Sequence, residues 1–287
     1  MKQYQDLIKH IFANGYETDD RTGTGTIAVF GSQLRWDLSK GFPAVTTKKL
    51  AWNACISELL WFMSGSTNVD DLRERTHGDR NNGKTVWDEN YENQGRKLGY
   101  TDGELGPVYG KQWRDFGGVD QLVKVVERIK QLPTDRRQIV SAWNPAELDK
   151  MALPPCHMFY QFNVRNGHLD LQWYQRSVDV FLGLPFNIAS YAALVHIIAK
   201  MCNLIPGELV FTGGNTHIYK NHVEQCEEVL RREPKELCAL KINYWHPEFN
   251  NWTTEQQLAW VTGMMKSSDF VLENYESHPP IKGKMAV

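Results

Sequence analysis

A run of twenty residues without a formal charge, VFLGLPFNIASYAALVHIIA from Val180 to Ala199, most constrains how this chain can fold. It is long enough to cross a lipid bilayer, which takes about 20 apolar residues. It also contains Pro185, Asn187 and His196, and polar residues of this kind are costly to insert into a bilayer. No other segment of the chain approaches it. The run therefore predicts a loop that leads into a buried central helix.

Composition supports a globular chain. With 287 residues, 41% of them hydrophobic and 23% charged, the chain can bury a substantial core. A net charge of −2 gives no overall attraction for polyanions, so any anionic ligand must be bound by a local basic group. The five cysteines are well separated and include no CxxC pair, which is typical of a reduced cytosolic protein. The start, MKQYQDLIKHIF, carries charges among its apolar positions, so we expect no signal peptide.

Local patterns predict helices and strands without a strict alternation of the two. Apolar residues at helical spacing predict helices over 2–14, 53–63, 118–131 and 220–232. Residues 26–38 read as strand, ELVFTGGNTHIY as a strand and turn, and 69–104 as a polar surface excursion. The pattern predicts an α+β fold, with a large, mixed and mainly antiparallel sheet packed with helices around the central helix. Because no linker composition occurs, we expect a single domain over 1–287.

The clearest local signal for a hairpin lies between MFYQFNV and LDLQWYQ. Both runs are rich in residues that favour strands, and the connection RNGH contains an Asn-Gly step. Asn-Gly suits the two-residue turns that join antiparallel strands. We therefore expect the two runs to pair.

Three familiar site motifs are absent. GELGPVYGKQW has its first glycine at the wrong spacing for a phosphate-binding P-loop, and Lys111 is followed by Gln112 rather than Ser or Thr. RTGTGT lacks the third glycine and the preceding strand of a dinucleotide-binding motif. His217 and His222 are five residues apart, with no acidic partner at metal-ligand spacing, so we expect no metal site.

Cys156 stands in ALPPCHMFYQF, directly after two prolines and before His157. A free thiol is mostly protonated at neutral pH, and nearby arginines would favour the reactive thiolate. A cysteine in an apolar run can equally be an inert core residue. His157 is not simply its base, because neighbouring residues on a strand point to opposite faces. The residues alone leave both interpretations of Cys156 open.

Other polar side chains suit an anionic small molecule. The chain carries arginines in DDRTGT, TDRRQIV and YQRSVD, and a guanidinium on a rigid element suits bidentate phosphate binding, although each could also be a surface charge. Glu58 lies within the apolar ISELLWFM, where a carboxylate must be paired or shifted in pKa. It is a candidate for proton transfer or for a structural hydrogen bond. Asn187 carries an amide that could bind a carbonyl and an N–H together, as on a uracil edge.

Nine motifs occur in order across nearly the whole chain. They are DRTGTGT, FPAVTTKK, ELLWFMSGSTN, LGPVYGKQWR, DRRQIVSAWNP, LPPCHMFYQF, QRSVDVFLGLPFNIASYA, HIYKNH and the closing KMAV. In this order they resemble the thymidylate synthase family, and the ordered set is far more specific than any one motif. The resemblance implies a homodimeric α+β enzyme that converts dUMP to dTMP, with 5,10-methylenetetrahydrofolate supplying both carbon and hydride. Nothing in the sequence suggests a flavin site.

The resemblance also implies roles for the candidate catalytic residues. Cys156 is similar to the family's nucleophile, which adds to C6 of the uracil ring and activates C5. Glu58 resembles the acid that handles protons, and Tyr109 belongs to the network that removes the C5 proton. His157 and Asn187 would order water and polar groups around the pyrimidine.

Binding residues follow from the same resemblance. Those implied for dUMP are Arg21, Gln175, Arg176, Ser177, Asn187, His217 and Tyr219, together with Arg136 and Arg137 from the other subunit. The arginines and Ser177 would surround the phosphate, and the positive charge of the arginines would favour the Cys156 thiolate. His217 and Tyr219 would hold the deoxyribose hydroxyl. Those implied for folate are Lys48, Trp87, Asp179, Gly183 and Val287, with KMAV closing over the complex. We expect a cytoplasmic enzyme that requires neither a membrane nor nucleic acid.

The chain departs from the family pattern at two positions. Asn90 stands where a second tryptophan is common, and Asn215 stands where an aspartate is usual. Two alternatives remain. A dUMP hydroxymethylase of the same superfamily would let water capture the methylene, and Asn90 lies in the neighbourhood that controls water access. A catalytically silent nucleotide- or RNA-binding relative is disfavoured, because Cys156, Glu58 and Tyr109 are all present.

Overall fold

The computed structural model describes residues 1–20 and 23–285. Two of the predicted site residues, Arg21 and Val287, lie outside the described residues. In chain order, the helices are Lys2–Asn14 (α1), Trp52–Ser64 (α2), Val69–His77 (α3), Asp88–Asn90 (α4), Tyr109–Arg114 (α5), Gln121–Gln131 (α6), Gly183–Met201 (α7), Val223–Arg231 (α8) and Thr254–Gly263 (α9). The strands are Tyr16–Thr18 (β1), Thr26–Asp37 (β2), Ile139–Ser141 (β3), His157–Arg165 (β4), His168–Asp179 (β5), Ile205–Tyr219 (β6), Ala239–Ile242 (β7) and Phe270–Glu273 (β8).

The strands form one large sheet and one small one. The large sheet has the order β1-β2-β6-β5-β4-β3, and β7 pairs with β8 in the small sheet. Neighbouring strands are antiparallel except for the parallel pair β5 and β6, which are connected through α7. The predicted α+β class with a mixed, mainly antiparallel sheet is confirmed.

Helix α7 is the predicted central helix. It is apolar around its whole circumference, and it packs on β5, β6 and α2. Among the described residues it is the one helix long and apolar enough to cross a membrane, and most of it is buried inside the protein. A helix that is hydrophobic on every side needs neighbours on every side, and here the sheet and α2 supply them.

The predicted hairpin is confirmed, and its register positions the site. Asn166 and Gly167 connect β4 to β5 with φ angles of 51° and 78°, the left-handed values that a tight two-residue turn requires. The pairing continues to His157 opposite Gln175 at the far end. Cys156, directly before β4, therefore lies beside Arg176 of β5.

Several elements differ from the sequence-based expectations. The glycine-containing segment read as a strand and turn is one continuous strand, β6, because β2 and β5 pair with it on both edges. The polar stretch 69–104 contains α3, which begins where the Asn68 side chain accepts a hydrogen bond from Asp70 N at 2.8 Å. Asn53 and Ser57 of α2 donate side-chain hydrogen bonds to the carbonyls of Thr76 and Arg75 at 2.9 and 3.2 Å, so the stretch is attached to the body of the protein. The helix predicted over 220–232 is a short 3-10 turn followed by α8.

Candidate active site

Hydrogen bonds to both backbone groups of Cys156 fix its position. Its N–H donates a hydrogen bond to the hydroxyl of Tyr109 at 2.7 Å, and its carbonyl accepts one from Arg176 N at 2.8 Å. The Arg176 side chain donates to the carbonyls of Pro154 and Pro155 at 2.8 and 2.9 Å, which leaves Nη2 4.0 Å from Sγ of Cys156. These contacts give the thiol a defined position beside a guanidinium.

Two opposing effects act on the Cys156 thiol. Burial among its neighbours raises its pKa, and the positive charge of Arg176 lowers it. Burial is the larger effect, so the pKa of this thiol lies above its ordinary value. Arg176 therefore shifts the thiol pKa in the expected direction, but it does not by itself make the thiolate the predominant form.

The His157 ring is buried among aromatic side chains. Its Nδ1 lies 2.8 Å from the hydroxyl of Tyr191, and its ring stacks on Tyr109 with centroids 4.1 Å apart. Burial lowers the pKa of His157 to about 3, so the ring is neutral at physiological pH. A neutral, stacked imidazole positions its neighbours rather than taking a proton from Cys156.

Glu58 of α2 is almost fully buried and makes one notable contact. Nε1 of Trp87 donates a hydrogen bond to its carboxylate at 2.8 Å. Burial raises the pKa of Glu58 to about 7, and the hydrogen bond from Trp87 opposes that rise. A carboxyl group with such a pKa can both accept and donate a proton near neutral pH.

Aromatic rings connect Glu58 to Cys156. The Trp87 ring lies edge-on to Tyr109 at 5.9 Å, and Tyr109 in turn contacts Cys156 N and the His157 ring. Phe62 contacts the rings of Trp87, Tyr109 and His157. Four predicted catalytic residues, Cys156, Glu58, Tyr109 and His157, are thus brought into one contiguous group.

Sequence reasoning missed Phe62 and Tyr191. Phe62 lies four residues after Glu58, and Tyr191 lies four residues after Asn187, on α2 and α7 respectively. Residues four apart share a helix face, so this spacing was the available signal.

Asn187 is oriented by a neighbour on the sheet. Nε2 of Gln175 donates hydrogen bonds to Oδ1 of Asn187 and to the carbonyl of Ser177, each at 3.1 Å. Since Oδ1 accepts from Gln175, the Asn187 amide nitrogen is the end that can donate to a ligand. The structure therefore brings Gln175, Ser177 and Asn187 together where β5 meets α7.

His217 and Tyr219 lie near the end of β6. Nδ1 of His217 is 2.8 Å from Oδ1 of Asn215, and its ring centroid is 4.9 Å from that of Tyr219. Burial lowers the pKa of His217. Asn215, one of the two departures from the family pattern, thus has a direct contact with the predicted sugar-binding histidine.

Arg136 and Arg137 lie apart from this group in the same chain. Both are exposed just before the edge strand β3, and Arg137 forms an ion pair with Asp135 at 3.0 Å. The antiparallel pairing of β3 with β4 sets Ile139 opposite Gln161, whose Nε2 donates to the Arg136 carbonyl at 2.8 Å, so both arginines lie towards the end of β4 opposite to Cys156. A single chain therefore does not bring together all the predicted phosphate ligands.

Three of the predicted folate-side residues, Lys48, Asp179 and Gly183, lie near the start of α7. Asp179 accepts hydrogen bonds from the N–H groups of Phe181 and Leu182 at 2.9 and 3.1 Å, directly before Gly183. Lys48 is buried, lies 3.8 Å from the centre of the Phe181 ring and donates to the Phe181 carbonyl. Burial lowers the pKa of Lys48 to about 8, against the opposing charge of Asp179.

Comparisons with known proteins agree with this geometry. The family model described as thymidylate synthase matches residues 2–287. The chain belongs to the thymidylate synthase family. It is 77% identical to the thymidylate synthase of Enterobacteria phage T4 and 52% identical to the probable thymidylate synthase of Escherichia phage T5, covering all of each. The crystal structure of thymidylate synthase from T4 phage matches with a TM-score of 0.96, again over both whole chains.

The resemblance inferred from the nine motifs is therefore confirmed, and so is the class of activity. The chain is a methyltransferase with thymidylate synthase activity, which functions in dTMP biosynthesis. Neither the hydroxymethylase nor the silent binding protein is favoured by these matches. Within the described residues, no group of three or more His, Cys, Asp or Glu side chains could hold a metal ion.

Proposed function

We propose that the chain converts dUMP to dTMP with 5,10-methylenetetrahydrofolate as cosubstrate, through a covalent adduct between Cys156 and C6 of the pyrimidine. The main support is the joint position of Cys156, Arg176 and Tyr109, because a nucleophile needs a defined approach to the ring carbon. Folate, when bound, supplies a one-carbon unit and a hydride and leaves as dihydrofolate. The chain's own residues must activate the uracil ring and move its protons.

Cys156 acts as the nucleophile in this proposal. Its sulfur forms a bond to C6, and the electron pair displaced from the C5–C6 double bond makes C5 nucleophilic. The same S–C6 bond breaks at the end of the reaction and regenerates the enzyme. Because burial raises the pKa of the free thiol, substrate binding must supply part of the activation.

Proton transfer in the proposal involves Glu58 and Tyr109. The pKa of Glu58, about 7, suits a group that exchanges protons with water and with the pyrimidine. Tyr109 is tied to the nucleophile through Cys156 N and lies against Trp87, the donor to Glu58. In the proposed reaction, the hydroxyl of Tyr109 takes part in removal of the C5 proton, beside Cys156. His157, neutral and fixed by Tyr191, orders the surrounding water and polar groups.

The uracil edge is bound by Asn187. Its amide nitrogen donates to O4, and its orientation is supported by the hydrogen bond from Gln175. His217 and Tyr219 hold the deoxyribose hydroxyl, with Asn215 supporting His217.

The phosphate is bound by Arg176, Ser177 and Arg21, and by Arg136 and Arg137 of a second subunit. Within one chain, Arg136 and Arg137 are exposed, so a homodimer would explain their position. Exposed apolar side chains on strands of the large sheet support this assembly. Phe30 of β2, Ile139 of β3 and Phe159 of β4 are 76%, 45% and 40% exposed, and exposed apolar groups of this size are typical of interaction surfaces.

Folate binds beside the pyrimidine, near Trp87, Asp179 and Gly183, with Lys48 towards its tail and Val287 at the closing C-terminus. The second carboxylate oxygen of Asp179 can accept from N–H groups of a pterin ring, since Oδ1 already caps the turn before α7. We further propose that residues 1–287 form a single domain and that the enzyme is cytoplasmic, consistent with five free cysteines.

Product analysis tests the proposed reaction. Purified protein is incubated with dUMP and 5,10-methylenetetrahydrofolate, and the pyrimidine and folate products are identified together by mass spectrometry. Equal amounts of dTMP and dihydrofolate are expected. Hydroxymethyl-dUMP with tetrahydrofolate would instead assign a hydroxymethylase, and absence of turnover would overturn both assignments.

A further inference from the structure

The segment 275–285 near the C-terminus is tied to the body of the protein along its length. The Tyr275 hydroxyl donates to the carbonyl of Val45 at 2.6 Å. The N–H of His278 donates to the carbonyl of Thr46 at 2.8 Å. Arg232 donates to the carbonyl of Pro279 at 2.6 Å and to that of Thr47 at 3.0 Å. These contacts hold the segment against residues 45–47, directly before Lys48.

The contact nearest the described end of the segment is made by His222. Its Nε2 lies 2.9 Å from the carbonyl oxygen of Lys284. A carbonyl oxygen can only accept, so Nε2 must carry the proton. The neighbouring Asn221 also points Nδ2 at this oxygen, but at the longer distance of 3.5 Å. His222 therefore makes the principal polar contact to this end of the segment.

Within the described part of the chain, one ring nitrogen of the buried His222 side chain lacks a hydrogen bond that would compensate for its loss of water. The side chain is fully buried, and Nδ1 has no hydrogen-bond partner among the residues that the structure describes. An unpaired buried polar atom destabilises the folded protein. An apolar residue would avoid this destabilisation, so the donor at Nε2 is the group that a histidine contributes here.

His222 also contacts the folate-side cluster. Its ring centroid is 4.9 Å from that of Phe181, whose carbonyl accepts from Lys48 and whose N–H donates to Asp179. Gly283 packs so closely on both rings that a Cβ there would lie 2.6 Å from Phe181 Cε1 and 3.0 Å from His222 Nε2. The end of the segment, His222 and the turn before α7 thus form one packed unit.

We propose that His222 is a positioning residue for thymidylate synthesis: its Nε2–H holds the Lys284 carbonyl and thereby keeps the C-terminal segment closed over the folate side. His222 itself need not touch dUMP or folate. The inference depends on the proposed function in one respect, namely that folate binds near Asp179 and Phe181.

Two substitutions at His222 and one control separate this role from a general structural one. His222→Phe keeps an aromatic ring, removes the donor and also removes the unpaired Nδ1. His222→Gln keeps an N–H donor. The control is His196→Phe, because His196 is also a largely buried histidine with one contact to a backbone carbonyl, that of Ala192 at 2.8 Å.

The first measurement is steady-state kinetics. Loss of one hydrogen bond predicts a rise of about three- to tenfold in KM for methylenetetrahydrofolate in His222→Phe, with KM for dUMP within about twofold of the unsubstituted enzyme. His222→Gln is expected to recover part of the loss, and His196→Phe to show none. Equal increases in both KM values, or the same loss in His196→Phe, would overturn the proposal.

The second measurement needs no turnover. Carboxypeptidase digestion of the C-terminus, followed by mass spectrometry, reports how often the segment detaches. We expect faster digestion of His222→Phe than of the unsubstituted protein, with His222→Gln between them and His196→Phe unchanged. An unaltered digestion rate in His222→Phe would refute the contact even if the proposed reaction were correct. Failure of the unsubstituted enzyme to form dTMP would instead refute the proposed function.

Discussion

Nε1 of Trp87 donates a hydrogen bond to the carboxylate of Glu58 across 2.8 Å. This bond favours the ionised carboxylate, whereas burial favours the neutral acid. Burial has the larger effect, so the pKa of Glu58 rises from 4.5 to about 7. Because this buried acid changes its protonation near neutral pH, it should affect both the free energy of unfolding and the proton transfer in catalysis.

Glu58→Gln should therefore alter the pH dependence of stability. Because the folded-state pKa is raised, the contribution of Glu58 is fully present below pH 4.5 and is lost as pH rises through about 7. The separation of these values corresponds to about 3 kcal/mol. We expect the free energy of unfolding of Glu58→Gln to increase relative to the unsubstituted protein between pH 5 and 8 by up to that amount.

Urea denaturation at both pH values measures this difference, with the exposed Glu89→Gln as control. If the free energy of unfolding changed with pH by the same amount in Glu58→Gln and in the unsubstituted protein, Glu58 would have an ordinary pKa. The same substitution should lower kcat by about a hundredfold or more, because proton transfer is lost.

Cys156→Ser tests the nucleophile. The hydroxyl fits the same space but is far less acidic and less nucleophilic than the thiol, so turnover should fall by at least about a thousandfold. Binding of dUMP, measured by calorimetry, should remain within a few-fold, because Arg176, Gln175 and Asn187 are unchanged. Cys202→Ser, which changes a partly buried cysteine outside the site, serves as the control. Retained turnover in Cys156→Ser would remove the nucleophile from the mechanism.

Subunit mixing tests whether Arg136 and Arg137 act on the partner's site. Two inactive proteins, Cys156→Ser and the double variant Arg136→Ala with Arg137→Ala, are mixed after dissociation and allowed to reassociate. A mixed dimer contains one site with both the cysteine and the arginines, so random pairing predicts about a quarter of the original activity. If the arginines acted within their own chain, no activity would return.

Asn187→Asp tests how the pyrimidine is recognised. Aspartate retains the acceptor for Gln175 but replaces the donating amide nitrogen with a second acceptor. That exchange opposes O4 of uracil and suits the exocyclic amine of cytosine. We expect kcat/KM for dUMP to fall by at least about a hundredfold, while dCMP becomes a detectable substrate. Competing substrates analysed by mass spectrometry measure the ratio, and an unchanged preference would argue against an Asn187 contact with O4.

Elements defined by local patterns were predictable from the sequence. The hairpin follows from Asn166 and Gly167, whose left-handed φ angles the Asn-Gly step accommodates. The central helix follows from a long apolar run, and the motif set identifies the family. Strand β6 was only partly predictable, because it is continuous through its glycines only when β2 and β5 pair with it on both edges.

The site could be predicted as a set of residues but not as a set of contacts. Tyr191 lies 34 residues from His157, and no local pattern indicates that their side chains meet at 2.8 Å. His222 was considered only as a possible metal ligand, since its contact with Lys284 spans 62 residues. Such contacts depend on how α7, β4 and β6 pack together.

The sequence by itself determined the chemical groups available: one cysteine after two prolines, an acid within an apolar helix, and an amide in the central helix. Tertiary structure decided their pKa values and their neighbours. It raised the pKa of Glu58 to about 7, lowered that of His157 to about 3, and placed Arg176 beside a Cys156 thiol whose pKa is still raised. The physical reason is that a residue type sets only the ordinary pKa, whereas burial and neighbouring charges, which exist only in the folded chain, set the actual one.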